Sequence, residues 1–375
     1  MRFGIPTETG FGTGGKERRV ALSPAGVREL CLTGAEVFVQ QGAGRGAGFT
    51  DDAYRTAGAH MVYTAAEAYG RADIVLRVER PREEEWSLLP ENSALIAFLH
   101  LHTAPAQVKH TLMTRRLTTL GLEAMSEDDG SFPLQKVSSQ ITGRMAPHIA
   151  GRLLEASGGG MGVLLSGLPG IPPADVVILG AGVLGTEAAR AFLGAGASVY
   201  VLDTDLHKLE ALDHAHGGRI VTALATTHNV EKFSAFAEVL VGAVRQPGGG
   251  APQLVTRDMV QRMKRGAVIL DFAINEGGCV ETSRLTPTED GVFVQDGIVH
   301  YALPNVPSLV PRTATYALTQ ALLPYLRLMQ HQGLTQALQH DKTLQRGVYA
   351  LSGRLLSPAA SGTAGKLERS REEQR

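Results

Sequence analysis

Short apolar runs alternate with segments of helical period from position 1 to about position 123. RFGIP reads as a strand. SPAGVRELCLTG reads as a helix, with Ser23 as N-cap, Pro24 in the first turn and Gly34 at its end. AEVFVQQGAG, DIVLRVERP, SALIAFLHLH and TTLGLEA read as further strands, and DDAYRTAGAH and TAAEAYGRA as short helices. This rhythm predicts a mostly parallel sheet covered by helices. QKVSSQITGRMAPHIAGRLLEAS has the length of a connector helix, with Pro147 as a point for a kink, and runs to Gly158–Gly160. A second strand–helix series begins at ADVVILGAGVLG and passes through ASVYVLDTD, GRIVTALAT, AEVLVGAVR and GAVILDFAI to about Pro304. TATYALTQALLPYLRLMQHQG is again a long helix, suited to crossing back to the first domain. The small, polar and charged tail over 356–375 is expected to be disordered.

Composition narrows the class. The 375 residues suffice for two domains with separate cores. The 44 glycines are too many for a helical bundle and suit a chain with many strand-to-helix turns. A formal net charge of -1 gives no global attraction to nucleic acid or to an anionic membrane. Cys31 and Cys279 cannot form a disulfide framework, which makes a reducing cytoplasm the default; both read as buried small residues. The N-terminal MRFGIPTETG has no apolar signal core, and no uncharged apolar run reaches membrane-spanning length.

The strongest chemical signal is DVVILGAGVLGTEAARAFLGAGASVYVLDTD. Its Gly180, Gly182 and Gly185 follow an apolar strand, open a helix and lead to a second strand ending in Asp203. In such a unit the first glycine permits the tight turn and the second lets the backbone approach a pyrophosphate. The third allows close helix–strand packing, and the helix N-terminus binds the phosphates. A carboxylate at the end of the second strand accepts hydrogen bonds from the adenosine ribose and repels a 2′-phosphate, which selects NAD(H) over NADP(H).

Other polar groups sit at strand ends. FLHLH puts His100 and His102 on the same face of one strand, because side chains alternate with period two. Two solvent-side histidines at a strand exit and a proton shuttle both satisfy that pattern. KERRVALSPAG sets Lys16, Arg18 and Arg19 before a helix; most such runs are solvated, yet arginine is the best residue for gripping a carboxylate. AINEGGC follows an apolar strand and places Asn275 and Gly277–Gly278 at its carboxyl end, where open sheets bind ligands and where a plain turn would read the same way. Metal-ligand spacings and a serine nucleophile elbow are absent.

Taken together, RFGIPTET, RVALSPAGV, GAEVFVQQGAGRGAGFTD, the FLHL strand, GGGMGVLLSGLPGIPPADVVILGAGVLG, GAVILDFAINEGGC and LPNVPSLVPRTATYAL resemble the alanine dehydrogenase family. That family is related to domain I of the nicotinamide nucleotide transhydrogenases. The resemblance runs through most of the chain. It implies an α/β protein of two Rossmann-like domains with parallel sheets and the active site in the interdomain cleft. The substrate domain would be discontinuous, 1–133 plus 306–375, with the NAD-binding domain at 134–305. It further implies NAD as cofactor, a small amino acid or 2-oxo acid as substrate, and a homohexamer.

Residue by residue, the family's substrate-carboxylate arginine matches Arg19 and its catalytic histidine matches His100. Its Met-Ser pair falls on Ser138-Ser139, and its Asn-Met-Pro segment on Asn305-Val306-Pro307, which makes Ser139 and Asn305 cofactor contacts. Two positions depart. The substrate lysine of a Lys-Val-Lys-Glu-Pro-like strand end is Glu79 in RVERP, and the aspartate of an Ala-Ile-Asp-like turn is Asn275. Strand alternation puts Arg77 and Glu79 on one face, so Arg77 could supply the missing positive charge from two residues back. Three readings follow. One is an NAD-dependent oxidoreductase acting on the Cα–N bond of an amino acid other than alanine. The second is an ordinary alanine dehydrogenase, converting L-alanine, NAD and water to pyruvate, ammonium and NADH. The third is a catalytically silent NAD-binding homologue.

Overall fold

The computed structural model describes residues 1–9, 17–101, 104–245, 250–285 and 290–356. His102, Lys16 and the tail from 357 onward lie outside the described residues. The chain divides into two units. The first holds 1–11, 16–138 and 307–375, and the second holds chiefly 139–306. The helix Pro133–Leu154 runs across the boundary at 138–139, with Pro147 inside it.

In the first unit the strands are β1 (Arg2–Ile5), β2 (Glu36–Gln40), β3 (His60–Val62), β4 (Ile74–Glu79), β5 (Ala94–Phe98) and β6 (Thr118–Gly121). They pair in parallel in the order β3-β2-β1-β4-β5-β6. Near-continuous apolar runs such as ALIAF are what a sheet covered on both faces requires. One face packs against Pro24–Leu32 and Pro311–Gln332; the other carries Tyr69, Trp86 and Leu112. Ser23 caps Pro24–Leu32 as expected, its side chain accepting from the Gly26 amide. The strand order reverses between β1 and β4, which opens a crevice beyond the carboxyl ends of those strands.

The second unit repeats the plan with β7 (Asp175–Leu179), β8 (Ser198–Asp203), β9 (Val221–Leu224), β10 (Val239–Gly242), β11 (Val268–Asp271), β12 (Val292–Gln295) and β13 (Ile298–Tyr301). Their order is β12-β13-β11-β10-β7-β8-β9, parallel except for β12. The switch point falls beside β7, the strand that leads into the glycine-rich turn. Returning to the first unit, β14 (Val348–Leu351) and β15 (Arg354–Leu355) extend its sheet antiparallel beyond β6.

Two details differ from the sequence reading. β5 ends at Phe98, so His100 follows the strand rather than belonging to it, and alternation does not govern where its ring points. Cys31 is only half-buried, its thiol 3.5 Å from the Gly58 carbonyl, whereas Cys279 is buried.

Candidate active site

In the first unit, side chains from four strand ends gather at the crevice. Arg19, just 6% exposed, is held by Glu17. The Nε and Nη2 of Arg19 donate to the two carboxylate oxygens at 2.9 and 2.7 Å, and the Arg19 amide donates to Glu17 Oε1 at 2.7 Å. Burial alone would lower the guanidinium pKa, but Glu17, then Glu79 and Glu8, outweigh it and the pKa is raised. A fork held at one edge by a carboxylate keeps its plane fixed. Glu79 Oε1 lies 3.7 Å from Arg19 Nη2.

Arg77 is elsewhere. The pairing of β4 with β5 slips between Leu76–Ile96 and Glu79–Phe98, so three steps on β4 oppose two on β5. Such a bulge undoes alternation. Glu79 stands opposite Phe98, which shares its core with Leu76, Val78 and Ile96, while Arg77 reaches toward Tyr69 on the other face. The expectation that Arg77 and Glu79 share a face is therefore corrected. Arg77 is 1% exposed and its donors go to Tyr69 Oη (2.6 Å), Glu85 Oε1 (2.7 Å), Glu8 Oε2 (3.1 Å) and Thr9 Oγ1 (3.1 Å). Its charge is matched within the protein, and it offers no replacement for the missing lysine. Burial pushes the pKa of Glu8 up, with Arg77 opposing.

His100 is half-buried and sits in the left-handed region, at φ 43°. For a residue with a Cβ this costs about 1–3 kcal/mol and persists only where the surroundings impose it. Its ring lies nearly parallel to that of Phe98, with centroids 6.3 Å apart and an interplanar angle of 16°.

In the second unit the glycine-rich turn has the form a pyrophosphate needs. Gly180 has φ 104°, and a Cβ there would meet the Ala243 carbonyl oxygen at 2.5 Å. Gly182 caps the helix Val183–Gly194, and a Cβ on it would meet nothing within 4 Å, so the space in front of the turn is open. A Cβ on Gly185 would fall 1.8 Å from the Gly180 carbonyl oxygen, which is the close helix–strand approach expected of the third glycine. Asp203, at the end of β8, accepts from the Ala181 amide at 2.6 Å and from the Asp205 amide at 2.9 Å, so the carboxylate stands against the turn. These residues fit a dinucleotide.

Asn275 lies exposed in the turn Ile274–Glu276 after β11, and its Nδ2 donates to the Pro304 carbonyl at 2.6 Å, tying that turn to the segment before Asn305. Asn305 and Ser139 are half-buried. Asp271, at the end of β11, accepts from the amides of Ala273, Cys279 and Val280, and burial raises its pKa.

Sequence reasoning passed over Glu17, Glu123 and Tyr349. Glu17 was hidden in a charged run. Glu123, in LGLEA, carried a usable signal: a lone carboxylate placed directly after an apolar strand in an open parallel sheet. Among the described residues no group of His, Cys, Asp and Glu is arranged to hold a metal ion, and no helix is long and apolar enough to cross a membrane.

A doubly wound sheet with an intact dinucleotide turn in one unit, and an arginine and a histidine at the strand ends of the other, are the features of a nicotinamide-dependent oxidoreductase. Comparison with known proteins makes this specific. The models of the alanine dehydrogenase/PNT N-terminal and C-terminal domains match residues 4–142 and 146–358. The alanine dehydrogenase of Methanococcus maripaludis is 38% identical over 96% of both chains, and that of Mycobacterium tuberculosis is 40% identical over 95% of both. A solved L-alanine dehydrogenase, 40% identical, superposes with a TM-score of 0.89 over 96% of this chain and 98% of its own. A transhydrogenase from Sinorhizobium meliloti, 24% identical, shares the fold with a TM-score of 0.78 over 95% of this chain and 100% of its own. The chain belongs to the alanine dehydrogenase/PNT family. With that family it is an NAD-dependent amino-acid dehydrogenase.

Proposed function

We propose that the protein oxidises, at the Cα–N bond, an amino acid that carries a second, cationic group. The observation supporting this reading is Glu79, a carboxylate 3.7 Å from the arginine that would grip the substrate carboxylate. A carboxylate there opposes binding of a second one unless the ligand also brings a positive charge. Among the described residues, ion pairs of this cluster join the carboxyls of Glu8, Glu17, Glu79 and Glu85 to the guanidinium groups of Arg19 and Arg77, and Arg80 also acts on Glu79.

In this reading Arg19 receives the substrate carboxylate, and Glu79 receives the cationic group. His100 takes the proton released from the substrate nitrogen and passes it on when water displaces ammonia from the imino acid. NAD⁺, when bound, accepts the hydride from Cα. The balance is amino acid, NAD⁺ and water to 2-oxo acid, ammonium, NADH and a proton. Gly180, Gly182 and Gly185 hold the pyrophosphate, Asp203 the adenosine ribose, and Ser139 and Asn305 add further cofactor contacts. Asn275 hydrogen-bonds the substrate or cofactor without titrating. The working form is a homohexamer in a reducing cytoplasm.

A second reading, an ordinary alanine dehydrogenase that tolerates Glu79 and Asn275, draws on the 38–40% identity to enzymes of that name. The test is purified protein with NAD⁺ at alkaline pH against neutral and basic amino acids, following NADH absorbance. Turnover with basic amino acids and not with alanine supports the proposal, and turnover with alanine alone ends it. NADH binding without any turnover supports a silent homologue instead.

A further inference from the structure

Leu99 and His100 are gripped from both sides. On one side, the Glu123 carboxylate accepts both amides: Leu99 N donates to Oε2 at 3.0 Å and His100 N to Oε1 at 2.6 Å. On the other side, Arg80 Nη1 donates to both carbonyls, Leu99 at 3.0 Å and His100 at 3.2 Å. The two charged groups are buried, at 3% and 4% exposure, and belong to different strand ends, Arg80 after β4 and Glu123 after β6. Tyr349 on β14 donates to Glu123 Oε1 at 2.9 Å and so orients the carboxylate. Gly121 admits that ring, since a Cβ there would fall 2.0 Å from Tyr349 Cε2 and 3.0 Å from Glu123 Oε1.

A left-handed residue other than glycine does not hold that conformation unaided. Here the two-residue backbone of Leu99 and His100 lies between a buried anion and a buried cation. Arg80 and Glu123 also attract each other, so removing either charge disturbs both sides of the grip. We infer that Arg80 and Glu123, oriented by Tyr349, are positioning residues. They clamp the backbone of His100 in its left-handed conformation and thereby set the direction of the imidazole that takes the substrate proton.

This rests on the reading of His100 as the proton shuttle. The clamp does not touch substrate or cofactor; it acts through the histidine it holds. A shift of about 1 Å in a catalytic group lowers turnover about 100-fold, so loss of the clamp should be visible at that scale.

The experiment uses the full-length protein and the best amino acid from the substrate panel. Arg80→Met is expected to lower kcat by about 100-fold and to move the acid limb of the pH profile of kcat/KM, with NADH affinity kept. Arg80→Lys, which can still donate to both carbonyls, should recover most of that loss. Because Arg80→Met strands Glu123 and can fail to fold, Tyr349→Phe serves as the mild second variant, with a smaller loss in the same direction. A crystal structure of Arg80→Met, or of Tyr349→Phe if the former does not fold, reads φ of residue 100 directly and needs no activity. Arg80→Met with kcat and pH limb unmoved, or with residue 100 still at its left-handed φ, overturns the clamp. So does a loss that lacks any pH shift and that lysine does not rescue, since that marks a purely structural role. His100→Gln separates the two layers: full activity in that variant sinks the shuttle reading beneath, whereas inactivity there beside an unaffected Arg80→Met sinks the clamp alone.

Discussion

Glu79 and Arg19 face each other across the crevice of the first unit at 3.7 Å, while Glu17 holds the same guanidinium at 2.7 Å. One arginine thus serves two carboxylates, and only Glu79 can be exchanged without releasing the side chain. Glu79→Lys removes the charge that opposes a simple amino acid and leaves the Glu17 fork intact. Alanine turnover relative to that of a basic amino acid should rise by about 10-fold or more, in line with one exchanged ionic contact of ~1.4 kcal/mol. Steady-state kinetics on both substrates check it, and an unchanged ratio removes Glu79 from substrate selection.

Arg19→Lys keeps the charge and loses the planar fork. KM for the amino acid should rise about 10- to 100-fold, reflecting loss of a charge-assisted contact worth ~1.5–3 kcal/mol, with little change in NADH affinity. Arg19→Met should in addition lower stability by about 3–5 kcal/mol, because Glu17 is then buried without its partner. Urea denaturation beside the kinetics separates the two effects.

The three glycines of the dinucleotide turn should respond differently to alanine. At Gly185 the added methyl meets the Gly180 carbonyl oxygen at 1.8 Å, so Gly185→Ala should lose both stability and cofactor binding. At Gly182 the methyl meets no protein atom within 4 Å, so Gly182→Ala should melt like the parent while its NADH dissociation constant rises by about 100-fold, because the methyl occupies the approach to the pyrophosphate. Thermal melts with and without NADH give the answer, and wild-type affinity in Gly182→Ala would place the cofactor elsewhere.

Glu8 sets a pH dependence of stability. Burial raises its folded pKa above the ordinary 4.5. Between those two values the folded chain binds the proton and the unfolded chain does not. This contribution is therefore fully present below about pH 4.5 and is lost as pH rises through the folded value. Glu8→Gln removes it. The difference in unfolding free energy between parent and variant, measured by urea denaturation from pH 4.5 upward, should change along that interval, and a constant difference would mean that Glu8 titrates normally.

Much of the fold was legible because its signals are local. Apolar runs bounded by turns marked strands such as ALIAF and DVVIL, and Ser23-Pro24 marked a helix start with capping chemistry that the structure keeps. The glycine spacing was legible for the same reason: all three positions lie within one strand–turn–helix. The clamp around His100 was not, since Arg80, Glu123 and Tyr349 are brought together by the pairing of β4, β5, β6 and β14, contacts that no window of sequence contains. Arg77 misled because period two holds only while register holds, and the slip after Leu76 depends on the neighbouring strand.

That slip has an evolutionary reading. Because β4 carries one residue more than β5 requires, the sign of the charge offered at the crevice depends on backbone length as well as on residue type. Adding the missing residue to β5 between Ile96 and Phe98 would close the slip and let alternation run on along β4, turning Glu79 from the crevice face and Arg80 toward it with no change of side chain on β4. In this scaffold a one-codon indel is a route to new selectivity alongside point substitution at the same strand end.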